Sequence, residues 1–441
     1  MEPRSAPQPI PTELWLRIFH FATNIIEPGS ECPRIDYPGR LRCVLPSLPP
    51  GTVQKALKTK RALVLVCKQW NFMATPFRIL YHHLSISTQS ALEKLISTLS
   101  DDTGPNKGSF YGRLVKRLDL KRYTPRGVRL YTAVELCQRL PNLVTFLTEL
   151  EARIDPSPLF NVLPPTLRHL HIQERFGHWE GRSLISIAQV ASFMDSHPNL
   201  TSISFPYVIT ESPPLSLAEK EQFCWPSIRK WTFLDRRQPL ALASYVPRGA
   251  FPNLEDVHFS ECTNDHYKAG NWNEAEEFLA AHGTSLVSVG LAQEGLVHIS
   301  ARLRVVDQLC PRIKEIDISF NQHRGRTRVD AMAMGCIIQT AAAIQMHQVL
   351  SLGIRMCSLR YEDERIEDLH SIASLPWTDV FPRLQRIRVL EELDVESSSV
   401  HDAPNCKGRL EASGTDSNGI ITFEDIDGRL LGRRRLPMGG S

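Results

Sequence analysis

A short apolar signature returns eleven times between residues 81 and 384: an apolar residue, two variable ones, a second apolar, one variable, and a third apolar. It reads YHHLSI from Tyr81, VKRLDL from Val115, LRHLHI from Leu167, LTSISF from Leu200 and IRKWTF from Ile228. It continues as LEDVHF from Leu254, LVSVGL from Leu286, IKEIDI from Ile313, VLSLGI from Val349 and LQRIRV from Leu384, with a degenerate LVTFLT from Leu143. Successive copies start 24 to 36 residues apart. A unit of that length cannot bury its own apolar face, so its neighbours must stack on it to make a continuous core. Each copy alternates apolar and variable residues, as a strand with one buried side does. The intervals carry helical patterns in SLISIAQVASFMDSH, in NEAEEFLAAHG with Gly283 as its C-cap, and in VDAMAMGCIIQTAAAIQM. HPNLTSISF, FPNLEDVHF and FPRLQRIRV place a proline just before the strand, where it stops the preceding helix and favours extended backbone. The fold class expected is α/β, an array of strand-helix units.

That period and pattern resemble irregular leucine-rich repeats, which form curved solenoids of one strand and one helix per unit. The resemblance implies a solenoid over residues 81–394 that holds a partner protein on its inner, concave strand surface. The variable positions on that surface include Asp119, Lys121, His171, Gln173, Ser204, Tyr207, His258, Ser260, Asp317, Ser319, Arg355 and Arg388. They are chemically mixed, so no single ligand class follows. Residues 395–441 differ: a polar linker leads into GIITFEDIDGRLLGRRRL, two short strands around Asp427-Gly428 that suit a hairpin capping the edge of the last repeat.

Before the array, PIPTELWLRIFHFAT has Thr12 as a plausible cap and Leu14, Ile18, Phe21 and Ala22 at helical spacing, with Trp15 and Phe19 widening the stripe. Residues 27–55 are rich in proline and glycine and read as a long loop. Periodicity resumes in LVLVCKQWN, where Leu63, Val66, Cys67, Trp70 and Met73 share one apolar face. That phase predicts a buried Cys67 thiol, with Lys68 and Gln69 pointing away.

Ile10, Pro11, Glu13 and Leu14, followed by Val66, Cys67, Lys68 and Trp70, resemble the F-box, a helical module with the pattern Leu-Pro-x-Glu-Ile-Leu and later Val-Cys-Lys-x-Trp. The loop at 27–55 stands where that family has a short turn. The resemblance implies that residues 1–80 dock a Skp-type adaptor, and through it a cullin, by a surface of Pro11, Leu14, Ile18, Val66, Cys67 and Trp70. The chain is then expected to be the substrate-recognition subunit of an SCF-type ubiquitin ligase, with no catalytic residues or cofactor of its own. The alternative is a repeat scaffold or protein-binding module carrying a vestigial hairpin.

Composition narrows the rest. A net charge of +3 on 441 residues implies no global attraction to nucleic acid or membrane, and no apolar run approaches the ~20 residues of a spanning helix. The ten cysteines form no Cys-x-x-Cys pair, and no basic start leads into an apolar signal segment, so a reducing intracellular setting, cytoplasmic or nuclear, is expected. Residues 37–92 hold no acid and eight bases, a +8 segment that leaves −5 for the remainder of the chain and suits an acidic protein partner. His258, Cys262 and His266 are spaced four apart, but His258 falls in a strand, so the three do not converge as metal ligands. His169 and His171 read as a surface pair. No phosphate-cradling loop or nucleophile elbow is present.

Overall fold

The computed structural model describes residues 82–86, 88–100, 108–120, 128–150, 155–174, 185–205, 208–209, 223–233, 242, 246–259, 272–294, 299–321, 344–357, 377–389, 420–424 and 430–435. Before residue 82 it describes 14–15, 34–35, 43–44, 59, 62–63, 65–68 and 70. The helical pattern at 329–346, apart from its last three residues, and most of the 27–55 loop therefore lie outside the described residues.

All eleven copies of the signature become strands. They are β1 (His83–Ile86), β2 (Arg117–Leu120), β3 (Thr145–Leu150), β4 (His169–Glu174), β5 (Ser202–Phe205) and β6 (Lys230–Phe233). After them come β7 (Asp256–Phe259), β8 (Ser288–Glu294), β9 (Glu315–Asn321), β10 (Ser351–Cys357) and β11 (Arg386–Val389). Each pairs in parallel with its predecessor in the sequence, so strand order follows chain order. β12 (Ile420–Glu424) adds to β11 in parallel, and β13 (Leu430–Arg435) returns antiparallel to it. The result is one open sheet of thirteen strands. The expected terminal hairpin thus covers the edge that β11 would otherwise leave unpaired.

The signature's apolar positions in β1 to β11 lie on one side of this sheet. Leu118 and Leu120, Leu170 and Ile172, Ile203 and Phe205, Trp231 and Phe233, Val289 and Leu291, and Ile316 and Ile318 are all at most 2% exposed. Helices on that side supply the facing layer. In α1 (Gln89–Ser100) Leu92, Ile96 and Leu99 are buried, and in α2 (Gly108–Leu114) Leu114 is buried. In α3 (Leu130–Cys137) it is Ala133, Leu136 and Cys137, and in the short α4 (Ser157–Phe160) Leu159 and Phe160. α5 (Ile187–Ser196) buries Ile187, Val190, Phe193 and Met194, and its start is fixed by a capping box. There Ser186 Oγ accepts from the Gln189 amide while the Gln189 side chain accepts from the Ser186 amide. α6 (Asn273–His282), α7 (Ile299–Leu309) and α8 (Trp377–Val380) complete the layer. Around β5 to β7 the core is aromatic: Phe233 stacks on Phe259 at 5.4 Å and meets Phe278 edge-on at 4.9 Å.

Gly283 caps α6 as expected, but in right-handed backbone geometry (φ −66°), and the chain runs on into a turn of 3-10 helix. Its requirement for glycine is therefore one of space: a Cβ there would press on the Leu309 carbonyl and the Cys310 sulfur. After four of the pre-strand prolines, Pro141, Pro165, Pro198 and Pro252, the next residue has a task the sequence pattern did not disclose. Asn142 Nδ2 donates to the Arg113 carbonyl, Thr166 Oγ1 to Leu143, Asn199 Nδ2 to Pro165 and Asn253 Nδ2 to Pro226. Each bond ties one unit's turn to the turn of the unit before it, satisfying carbonyls that the sheet ladder does not reach.

Candidate functional site

The face of the sheet opposite the helices carries two rows set by strand register. One row is His83, Arg117, Thr145, His169, Ser202, Lys230, Asp256, Ser288, Glu315, Ser351 and Arg386. Beside it runs the second, from Ser85 through Asp119, Leu147, His171, Ser204, Thr232, His258, Gly290, Asp317 and Gly353 to Arg388. Six residues named from the sequence, Asp119, His171, Ser204, His258, Asp317 and Arg388, therefore fall in a single row. Ser319 and Arg355 are ladder neighbours one row further on, and Gln173 pairs with Glu149 in the equivalent row of β4 and β3. Lys121, Tyr207 and Ser260 lie outside the described residues.

One expectation about this row is corrected. Asp119, His171, Ser204, Asp317 and Arg388 are at most 8% exposed, and His169 and His171 are no surface pair. Adjacent strands bring these side chains within contact of their neighbours in both directions, so a position that is variable in its own repeat is covered by the repeats on either side.

Three groups of contacts organise the layer. At its start, His83 Nε2 meets Asp119 Oδ2 at 2.8 Å and Arg117 Nε donates to Asp119 Oδ1 at 2.9 Å, all three side chains being buried. Burial opposes charge on Asp119, but the Arg117 guanidinium, His83 and their hydrogen bonds outweigh it and hold the carboxyl well below the usual range. In the middle, burial lowers His169 to about 4, with Arg117, Lys230 and Arg168 adding to the effect. Burial likewise lowers His171 to about 3, helped by His169 and Arg117 and opposed by Asp119. Both imidazoles are thus neutral at pH 7. Towards the end, Arg388 Nη1 donates to Glu315 Oε1 at 2.9 Å, reaching across β10, whose residue in register with Arg388 is Gly353. The His258 ring lies over Gly290 in the same way, since a Cβ on Gly290 would overlap it. Sequence reasoning named neither glycine; a glycine at a variable strand position is the signal that marks such sites.

The N-terminal residues form a second candidate surface. Trp15 and Trp70 meet at 4.7 Å between ring centroids with their planes tilted by 55°, which brings the two N-terminal segments together. Beside them in the sequence, Leu14, Leu65 and Val66 are 48%, 72% and 59% exposed. Cys67 corrects an expectation: it is exposed, and its sulfur accepts from the Trp70 amide at 3.4 Å. Helical backbone at 65–66 is interrupted at residue 67, so the phase that placed the thiol inward does not hold there. Pro11 and Ile18 lie outside the described residues.

Cys67, Cys137, Cys224 and Cys310 are free thiols. Among the described residues no group of histidines, cysteines and acids is placed to hold a metal, and no helix is long and apolar enough to cross a membrane. Cys262 and His266 are not among them.

No family model matches this chain, and no curated protein does. Among solved structures it is similar to a structural-genomics protein from Bacteroides fragilis at 14% identity and a TM-score of 0.33, over 67% of this chain and 72% of that one.

Proposed function

We infer that this chain is the target receptor of an SCF-type ubiquitin ligase, docking a Skp-type adaptor through its N-terminal residues and a target protein through a leucine-rich-repeat solenoid. One observation carries the reading. Residues that match the F-box pattern, Leu14 and Val66, stand exposed as an apolar surface next to the Trp15–Trp70 contact, with Leu65 extending it. Exposed apolar side chains at these matched positions are what adaptor docking through the motif requires. The segment's run of bases suits an acidic adaptor, and the stack of parallel strands is compatible with a solenoid. The chain contributes binding surfaces, and transfer of ubiquitin takes place elsewhere in the complex.

The test is co-purification of the full chain with a Skp-type adaptor, beside Leu14→Asp/Val66→Asp. Both side chains are exposed, so the double variant keeps its circular dichroism spectrum and loses at least tenfold in adaptor affinity. Undiminished capture by the folded variant overturns the docking surface. No capture by the wild-type chain overturns the ligase reading in favour of a repeat scaffold.

A further inference from the structure

The polar face changes sign along the sheet. Among the charged residues that register places on it, β7 to β9 carry Asp256, Glu294, Glu315 and Asp317 and neither lysine nor arginine. β10 to β13 reverse this, with Arg355, Arg386, Arg388, Arg433 and Arg435 against one acid, Glu424. Arg388 is already held by Glu315 at 2.9 Å. Arg386 is exposed, its Nε donates to the neutral Ser351 Oγ at 2.9 Å, and no acid among the described residues pairs with it. Thr422 of β12 stands in register with Arg386 on one side and with Arg433 on the other. The same alternation that puts Arg433 and Arg435 on the polar face puts Arg434, opposite Ile421, on the other.

β13 is also where the sheet ends. No strand lies beyond it among the described residues, so one edge of its backbone carries amide and carbonyl groups that β12 does not reach. Positions 433 and 435 are two apart, about 7 Å along an extended chain, which is the repeat at which any added strand presents side chains to one face. Opposite charges set across a strand pair stabilise it, and like charges oppose it. A second copy of this edge brings three consecutive arginines against three of its own kind and is repelled. A nucleic-acid backbone would meet the arginines but leave the edge unpaired. An extended polypeptide of opposite sign satisfies both the charge and the backbone.

We propose that the outer edge of β13 takes an extended acidic segment of the target protein by strand addition, with carboxylates at alternate positions of that segment set against Arg433 and Arg435. The inference rests on reading this sheet as the target-binding part of a receptor, adds the chemistry of the target, and is independent of adaptor docking. Main-chain hydrogen bonds supply the pairing, and the spacing of the acids supplies the register. Arg386, in the same row as Arg433 and two strands back, about 10 Å away, adds to the field that draws the segment in.

The experiment is fluorescence anisotropy with the full-length chain, without adaptor, and two labelled, capped peptides of one composition and charge. In Thr-Val-Glu-Val-Glu-Val-Thr the acids share a face of the strand, and in Thr-Val-Val-Glu-Glu-Val-Thr they point opposite ways. The alternating peptide is expected to bind about fivefold more tightly, the worth of one well-placed cross-strand pair, and to weaken as salt is raised. N-methylation of its alternate amides, in the phase that faces β13, leaves the charge unchanged and abolishes binding. Arg433→Gln/Arg435→Gln removes the preference between the two peptides, while Arg434→Gln, on the other face, keeps it, with circular dichroism to show that each variant is folded. If the double variant does not fold, the peptide comparisons on the wild-type chain still decide. No saturable binding, equal affinity for the two peptides, or undiminished binding of the N-methylated one overturns the proposal. Tighter binding of an oligonucleotide of equal charge also overturns it, by assigning the arginines to phosphate. Because no adaptor is present, failure here leaves the docking test standing, and the reverse.

Discussion

Single residues in this protein take their meaning from the strands beside them. Gly290 is the clearest instance, because the absence of its side chain is what lets the His258 ring from the preceding strand lie flat. Gly290→Ala forces that ring out of place and is expected to destabilise the fold by about 1–3 kcal/mol, the usual cost of overfilling a packed site. The cause is testable by a double-mutant cycle in urea: with His258→Ala already present, Gly290→Ala is expected to cost less than about 0.5 kcal/mol. Additive effects would place the strain in the backbone. The same dependence on neighbours explains which residue-scale readings failed. Strand alternation correctly put Asp119, His171, Ser204 and Asp317 on the face away from the helices. It could not show that neighbouring repeats bury them, because coverage is a property of two strands and the pattern was read within one. Cys67 failed for a different reason: a break in helical backbone shifts the phase of everything beyond it.

At the scale of elements, the eleven strands were legible because each carries its own local signal, apolar and variable residues alternating over six positions. Even LVTFLT, in which a buried Thr148 takes an apolar position, became β3, since its neighbours supply the register. The turns were less legible. The prolines were informative, but the Asn or Thr that follows them acts on a carbonyl some 23 to 34 residues away, and no local period records that contact. Helix starts fall between these extremes. Ser186 sits three residues before Gln189, the spacing of a capping box, and the reciprocal bonds form at 3.2 Å and 2.8 Å. Gln189 Nε2 also donates to Ser157 Oγ at 2.5 Å, which joins the box to α4. Replacing Ser186 by alanine is expected to cost about 1 kcal/mol and by glycine only a few tenths, a ranking characteristic of an N-cap. Equal losses from the two substitutions, measured as shifts in urea midpoint, would show that Ser186 acts through packing rather than through its hydroxyl.

For the whole molecule, the repeated burial of histidine sets a limit on the acid side. His169 and His171 on the polar face and His282 against Phe251 and Phe278 are each at most 5% exposed. Burial lowers His169 and His282 to about 4 and His171 to about 3. An unfolded chain protonates its histidines near pH 6.5, so between that value and about 4 the unfolded state binds more protons than the folded one. Stability is therefore full above pH 6.5 and falls steadily as the solution is acidified through that window. The three losses act in the same direction and the same pH window, so acidification weighs against a stability that is small to begin with. Asp119 acts in a lower range: its depressed pKa stabilises the fold above about pH 4, and that contribution disappears only as the pH falls further. Two separate losses are thus expected, the first carried by the histidines. Urea midpoints measured at pH 7.5, 6.5, 5.5 and 4.5 should drop most between 6.5 and 4.5, and His282→Gln should flatten that fall while lowering the midpoint at pH 7.5. A midpoint unchanged down to pH 4.5 would mean that these imidazoles reach water in solution, and the polar layer would then be an open surface after all.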